Sequence, residues 1–194
     1  MKLELVTENG RQVMRRIVEP LDFLKHAHVP ERHRKLVLAG ELEETDALVA
    51  ARRLHKGDGL LLVEAGEPGR GKSIAAAWVL SRRWGLWVNA PELAVPPRKE
   101  EEEQGKLTLD ERMRKAEVLV LDDVGIEHSP SGYAASRIVA AIEWREAELK
   151  ATLVTTNLSS QEFRTRYGER IASRIDGDAL GFVTCGGADL RPAR

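Results

Sequence analysis

At 194 residues, 42% hydrophobic and 31% charged, the chain can bury a full core, and a single globular unit is expected rather than a disordered or membrane-spanning one. No apolar run approaches bilayer length and Met1 to Arg16 is too polar for a signal peptide, so a cytoplasmic protein with no membrane attachment is expected. A formal net charge of -1 requires any nucleic-acid contact to come from a local basic patch, and the single cysteine, Cys185, excludes an internal disulfide framework or a cysteine metal cluster.

Leu3 to Val18 is expected to form a β-hairpin, because Asn9-Gly10 is a strong two-residue turn signal and centring on it pairs Val6 with Val13 and Glu4 with Arg15. Leu21 to Leu38 is basic and partly helical, carrying Lys25, His26, His28, Arg32, His33, Arg34 and Lys35 around Pro30. A solvated face is the ordinary explanation of such a run, and phosphate or partner contact the alternative. Its histidines have no zinc-site companions. Thr45 to Lys56 places Ala47, Leu48, Ala51 and Leu54 on one face of an amphipathic helix, which Gly57-Asp58-Gly59 ends.

From Leu60 the chain alternates strand and helix. Leu60-Leu61-Leu62-Val63 is an apolar run of the kind that forms a buried parallel strand, and it runs straight into a glycine-rich loop. A helix is expected from Lys72 to about Trp84, a strand at Leu86-Trp87-Val88, and a helical piece at Pro91-Glu92-Leu93. Pro96 to Gly105, with Pro-Pro and then Lys99 followed by Glu100 to Glu103, is expected to be an exposed, mobile connection. Thr108 to Ala116 predicts a short helix, Val118 to Leu121 a third strand, Tyr133 to Leu149 a long helix and Thr152 to Thr155 a fourth strand. Phe182-Val183-Thr184-Cys185 supplies a fifth, with Cys185 as a small apolar residue in it. Strands separated by helix-length segments imply βαβ units and an α/β fold with a parallel sheet covered on both faces, and five such strands are expected.

Four constellations carry chemistry. Gly66-Glu67-Pro68-Gly69-Arg70-Gly71-Lys72-Ser73 has the spacing of a P-loop, with a strand before it and a helix, opening Lys72-Ser73-Ile74, after it. Its glycines let successive N–H groups face phosphate oxygens at a helix N-terminus. Lys72 is expected to reach the β and γ phosphates of ATP, and Ser73 to ligate Mg²⁺. Val118-Leu119-Val120-Leu121-Asp122-Asp123 has the form of a Walker B strand, with Asp122 holding Mg²⁺ through its water shell and Asp123 facing the attacking water. Aspartate is a methylene shorter than the glutamate many related ATPases use here, and slow hydrolysis is expected. Leu153 to Asn157 ends another strand in polar side chains, and Asn157 can hydrogen-bond the γ-phosphate or the water. Tyr167 to Ile175 places Arg170 and Arg174 four apart on one side of a helix and Ile171 and Ile175 on another.

The order of these motifs resembles the AAA+ ATPases of the DnaC/IstB helicase-loader group. The resemblance runs from about Pro30 to Arg191 and rests on Gly66 to Ser73, on Ala116 to Gly125, on Thr155-Thr156-Asn157, on Gly168-Glu169-Arg170 through Arg174, and on Asp189-Leu190-Arg191. It implies that Asn157 is a sensor 1 residue, Arg174 an arginine finger acting on a neighbouring subunit's γ-phosphate, and Arg191 a sensor 2 arginine on the chain's own ATP. Arg170 is the reserve candidate for the finger. It further implies a sheet in the AAA+ order, no separate helical lid domain, residues 1–56 as a partner-facing N-terminal extension and 57–194 as the ATPase core. The hairpin-like start is unlike the loaders' helical helicase-binding region, and the segment after the second strand, where loaders contact single-stranded DNA, here holds Glu100 to Glu103 flanked by Arg98, Lys99 and Lys106.

The expected function is an ATP-hydrolysing, Mg²⁺-dependent helicase loader in DNA replication. Its expected partners are a replicative helicase and further copies of itself bridged by ATP, with single-stranded DNA as a further candidate. An IstB-like transposition ATPase would keep every nucleotide residue and change only the protein partner, and a nucleotide-gated scaffold would bind ATP with negligible turnover. A small-molecule P-loop kinase would instead need a substrate pocket and an arginine-rich closing lid.

Overall fold

A computed structural model describes residues 2–8, 11–96, 107–128 and 132–191. The expected Asn9-Gly10 turn, and the expected loop with Arg98, Lys99, Glu100 to Glu103 and Lys106, lie outside the described residues. β1 (Lys2–Glu8) and β2 (Arg11–Ile17) pair antiparallel with Val6 opposite Val13 and Glu4 opposite Arg15. The basic stretch forms two helices, α1 (Pro20–His26) and α2 (Glu31–Ala39), parted by left-handed His28 (φ 61°) and by Pro30. α3 (Asp46–Lys56) starts where the Thr45 hydroxyl accepts the Leu48 N–H and stops at left-handed Gly57.

β3 (Leu61–Ala65), β4 (Gly85–Asn89), β5 (Val118–Val124), β6 (Ala151–Thr156) and β7 (Gly181–Thr184) form one parallel sheet in the order β4-β5-β6-β3-β7. The strand that feeds the glycine loop is therefore interior, with β6 and β7 on its two sides. Alternation along each strand divides the core. Leu62, Val120 and Leu153 face α3 and α4 (Lys72–Leu80), while Leu61, Val63, Leu119, Leu121 and Val154 face α6 (Tyr133–Ala147), α7 (Ser160–Tyr167) and α8 (Glu169–Gly177). A short 3₁₀ helix (Ala90–Ala94) follows β4, and α5 (Leu109–Lys115) begins at a capping box between Thr108 and Glu111. Leu24, Ala27 and Val29 join the same cluster as Leu62 and Ala75, so α1 and the turn after it pack on the sheet's helical layer.

Two helices are shorter than the sequence predicts. α4 ends at Leu80 rather than near Trp84, because the Ser81 hydroxyl donates to the Trp78 carbonyl at 2.7 Å and the Arg82 and Arg83 N–H groups turn back to Val79. α6 ends at Ala147, where Leu149 takes a left-handed conformation (φ 54°) and the Lys150 N–H returns to the Arg145 carbonyl. Cys185 is buried just past the end of β7. Among the described residues no helix is long and apolar enough to cross a membrane.

Candidate functional site

The site forms where the C-terminal ends of β3, β5 and β6 meet the start of α4. After Ala65 the chain turns through Gly66 and Gly69, both with positive φ. Gly66 is required by space as well as by conformation, since a Cβ there would meet the Cys185 backbone carbonyl, whereas at Gly69 it is the conformation that favours glycine. The segment after β7 thus wraps the loop. Leu190 N–H donates to Gly69 O at 2.9 Å, and the Arg70 guanidinium binds the Gly187 carbonyl and the Glu67 carboxylate.

Lys72 is 7% exposed, and its ammonium donates to Gly66 O at 2.6 Å, Glu67 O at 2.9 Å and Asn157 Oδ1 at 3.1 Å. Burial lowers its pKa, against the pull of nearby Cys185, Asp123, Glu64 and Asp122. One residue on, the Ser73 hydroxyl donates to Asp122 Oδ1 at 2.9 Å, and Thr155 Oγ1 donates to the same oxygen at 2.6 Å. Asp122 is 3% exposed, and burial pushes its carboxyl up to about 6 even though these hydroxyl bonds favour the charged form.

The pairing of β5 with β6 slips between Leu121 and Val124, and the slip is the site's local geometry. Asp123 is left-handed there (φ 57°), its N–H donating to Thr155 Oγ1 at 3.0 Å, and Thr156 Oγ1 closes the far side by donating to Val124 O at 2.6 Å. The two threonines of Thr155-Thr156-Asn157 therefore hold the irregular strand end that presents both aspartates. Aspartate is among the few residues that tolerate this conformation.

Lys72, Ser73, Asp122, Asp123 and Asn157 line one cavity of about 720 Å³, together with Pro68, Ile74 and Arg191. That volume lies within the range of roughly 300–1,000 Å³ usual for small-ligand sites. The opposite wall is α2 with the turn after it, contributing Arg32, His33, Leu36 and Leu42. The His33 ring lies 5.5 Å from that of Trp87, and burial and Arg32 lower its pKa while Asp123 raises it. Sequence reasoning treated this basic run first as a solvated face. Its proximity to the glycine loop comes from the packing of α2 on α4, which no local pattern encodes.

Of the residues singled out in the sequence, the structure brings Lys72, Ser73, Asp122 and Asn157 to one cavity as two hydrogen-bonded pairs, Lys72 with Asn157 and Ser73 with Asp122, with Asp123 and Arg191 also on its wall. Arg191 is about half exposed and paired with Asp189 at 2.6 Å. Arg170 and Arg174 are not among the cavity's lining residues. Both lie on α8 and reach α6, Arg170 pairing with Glu143 at 2.6 Å and Arg174 with Glu146; their side chains are 75% and 26% exposed.

The donor set fits Mg²⁺. A serine hydroxyl and a carboxylate 2.9 Å apart are hard oxygen donors, the kind Mg²⁺ takes alongside water and phosphate oxygens.

No protein-family model and no curated protein sequence matches the chain. Among solved structures it is similar to the DnaC helicase loader, at 24% identity over 84% of this chain and 96% of that one, with a TM-score of 0.56. It is similar to DnaI at 20% identity over 87% and 89% of the two chains, with a TM-score of 0.53. It also resembles a replication initiator DnaA bound to AMPPCP and single-stranded DNA, at 16% identity over 74% of this chain and 47% of that one, with a TM-score of 0.56. The chain shares its fold with DnaC and DnaI, an α/β arrangement of one five-stranded parallel sheet with helices on both faces and a glycine-rich loop after an interior strand.

Proposed function

We propose that the chain binds Mg-ATP in this cavity, hydrolyses it slowly, and acts as a replicative helicase loader whose assembly follows the state of the nucleotide. The observation that carries the reading is the convergence of Lys72, Ser73, Asp122 and Asn157 from three separate elements onto one point at the mouth of the glycine loop. Lys72 turns its donors from the Gly66 and Glu67 carbonyls to the β and γ oxygens, and the N–H groups of the loop, from Glu67 to Ile74, cradle the rest of the chain of phosphates. Ser73 and Asp122 hold Mg²⁺, which supplies charge neutralisation for the phosphate oxygens. Asp123 orients the attacking water and Asn157 reports the γ-phosphate. Arg191 reaches the chain's own nucleotide across the cavity.

Hydrolysis is completed in trans, by an α8 arginine of a neighbouring copy. Residues 57–194 form the ATPase core; α2 and α3 of the 1–56 extension complete the wall of its nucleotide cavity, and the outward surfaces of that extension face the protein partner. The protein works in the cytoplasm, and contact with single-stranded DNA accompanies loading. The similarity in fold to DnaC and DnaI supports the choice of a helicase as partner. The test is size-exclusion chromatography of the purified chain with the replicative helicase of its own host, in ATP and in ADP. A complex that forms in ATP and dissolves in ADP is expected. A chain that ignores the helicase in both nucleotides while still releasing phosphate overturns the loader role but not the ATPase.

A further inference from the structure

A second cleft lies at the opposite end of the sheet from the glycine loop, where β4 begins at Gly85 and Leu86. β4 is the outermost strand, and its Trp87 N–H donates to the Ala27 carbonyl at 2.8 Å, so the turn after α1 lies along the sheet's edge. The cleft, of about 540 Å³, opens between this turn and α5. Lys25 and His26 line it from the end of α1, left-handed His28 from the turn, and Arg112 and Lys115 from α5.

Charge there is one-sided. Glu117 is the carboxylate that lines the cleft among the described residues, and it is bound to Arg83 at 2.9 Å. Lys25, Arg112 and Lys115 have no ion-pair partner among the described residues. Burial, Arg112 and His26 hold the His28 imidazole below its ordinary pKa, with Glu92 opposing them.

An aromatic wall faces these cations. Trp84 lines the cleft and is 38% exposed, an unusual exposure for a large apolar ring. It is braced by Phe23, with centroids 4.5 Å apart, and met edge-on by His26 at 4.9 Å. Cations alone would suit any polyanion. Cations around an exposed, braced indole suit a polyanion that also offers flat unsaturated rings, and a volume of about 540 Å³ has room for one such ring with its phosphate. A duplex keeps its base faces stacked inside, whereas a single strand presents them.

We propose that this cleft binds one nucleotide unit of a single-stranded nucleic acid, its base on Trp84 and its phosphates on Lys25, Arg112 and Lys115. The site is separate from the ATP cavity, and the inference rests on the single-stranded DNA contact of the proposed function, to which it gives a place on the chain. A single strand is favoured over a free nucleotide because cations line both walls, on α1 and on α5, so that phosphates on either side of the base find a partner.

The test is fluorescence anisotropy of a labelled oligo-thymidylate with the full chain at several salt concentrations, without ATP. Trp84→Ala is expected to weaken binding about tenfold, in line with roughly 1–3 kcal/mol per stacked base, while Trp84→Phe keeps it within about threefold. Replacing Arg112 and Lys115 together with glutamine weakens binding at low salt and flattens the salt dependence. This surface variant serves as the test even if Trp84→Ala disturbs folding. The proposal is overturned by no binding at low salt, or by an unchanged affinity in the Arg112→Gln, Lys115→Gln variant. Displacement by dTMP as effective, per nucleotide, as displacement by unlabelled oligomer would assign the cleft to free nucleotides instead. Equal displacement by polyglutamate of matched charge would reduce it to a general anion site, and also overturns the proposal.

Discussion

The ammonium of Lys72 lies 3.1 Å from Asn157 Oδ1, joining the first residue of α4 to the residue that follows β6. This contact marks where a γ-phosphate would enter, since Lys72 has only carbonyl and amide oxygens to bind and phosphate oxygens are stronger acceptors. Asn157→Ala is expected to lower kcat by about tenfold to a hundredfold and to change ATP affinity by only a few-fold, because the remaining phosphate donors stay in place. Steady-state phosphate release set beside calorimetric ATP binding reads the two effects separately. A large loss of affinity with kcat intact would make Asn157 a binding residue and remove its role in reporting the γ-phosphate.

Asp123→Asn should split the same two quantities more sharply. Asp123 lines the cavity but takes no part in the Ser73–Asp122–Thr155 hydrogen bonds through its side chain, so its charge can be removed while the Mg²⁺ donors remain. Binding is expected to stay within a few-fold and turnover to fall at least a hundredfold. If affinity for Mg-ATP falls in parallel with turnover, Asp123 is a metal ligand.

The two α8 arginines make a trans experiment decisive. Arg174 is the finger that the sequence resemblance implies, and it is half-buried against Glu146; Arg170 is far more exposed and bound to Glu143. An arginine supplied in trans can raise turnover by roughly 10³ to 10⁵. Arg174→Ala is expected to abolish the assembly-dependent rate and leave ATP affinity intact. A Lys72→Ala subunit, deficient in its own site but carrying Arg174, should restore activity to an Arg174→Ala subunit. Rescue that fails for Arg174 and succeeds for Arg170→Ala in the same mixing series would transfer the finger to Arg170 and leave Arg174 as a tie between α8 and α6.

Much of this geometry was legible in the sequence. The short apolar runs separated by helix-length segments predict the five parallel strands, and the Asn9-Gly10 turn predicts the hairpin register, because both signals are local. The site's wall at α2 was not legible: Arg32 and His33 reach the cavity only through the packing of α2 on α4. Nor was the slip between Leu121 and Val124, which depends on Thr155 and Thr156 bonding to a neighbouring strand. A basic helix and a Thr-Thr pair have ordinary surface explanations until tertiary contacts are known.

Glu64 was invisible for the opposite reason, hidden in an apolar strand. It is fully buried on β3, neither carboxylate oxygen has a hydrogen-bond partner in the protein, and burial raises its pKa well above the ordinary value, with Asp122 adding to the rise and Lys72 opposing it. A raised folded pKa means that the folded state holds a proton which the unfolded chain releases above its ordinary glutamate pKa, so stability falls as pH rises from that point up to the folded pKa. Glu64→Gln keeps the shape of the protonated group and removes the titration. Its Tm is expected to match that of the parent at acidic pH and to exceed it by a growing margin toward alkaline pH, read by differential scanning fluorimetry. A margin that shrinks with rising pH would show that ionised Glu64 is stabilised, with Lys72 as its partner.

At the other end of the sheet, Arg145 is fully buried and donates to the carbonyls of Met113, Ala116, Glu117 and Ala151 and to Thr152 Oγ1. It ties α6 to the starts of β5 and β6. Arg145→Met fills similar space but strips several buried carbonyls of their donor, and a loss of about 3 kcal/mol or more in urea unfolding is expected. A loss below about 1 kcal/mol would mean that water replaces the guanidinium at those carbonyls.

Isothermal titration of ATP, with and without Mg²⁺, into the parent chain and into Lys72→Ala tests the nucleotide site most directly. The account predicts one ATP per chain for the parent, tighter with Mg²⁺ than without it, and an affinity for Lys72→Ala weaker by at least tenfold while its Tm without nucleotide is unchanged. Equal affinities in the two proteins, or binding indifferent to Mg²⁺, would contradict it, because neither result is compatible with phosphates on Lys72 and a metal between Ser73 and Asp122.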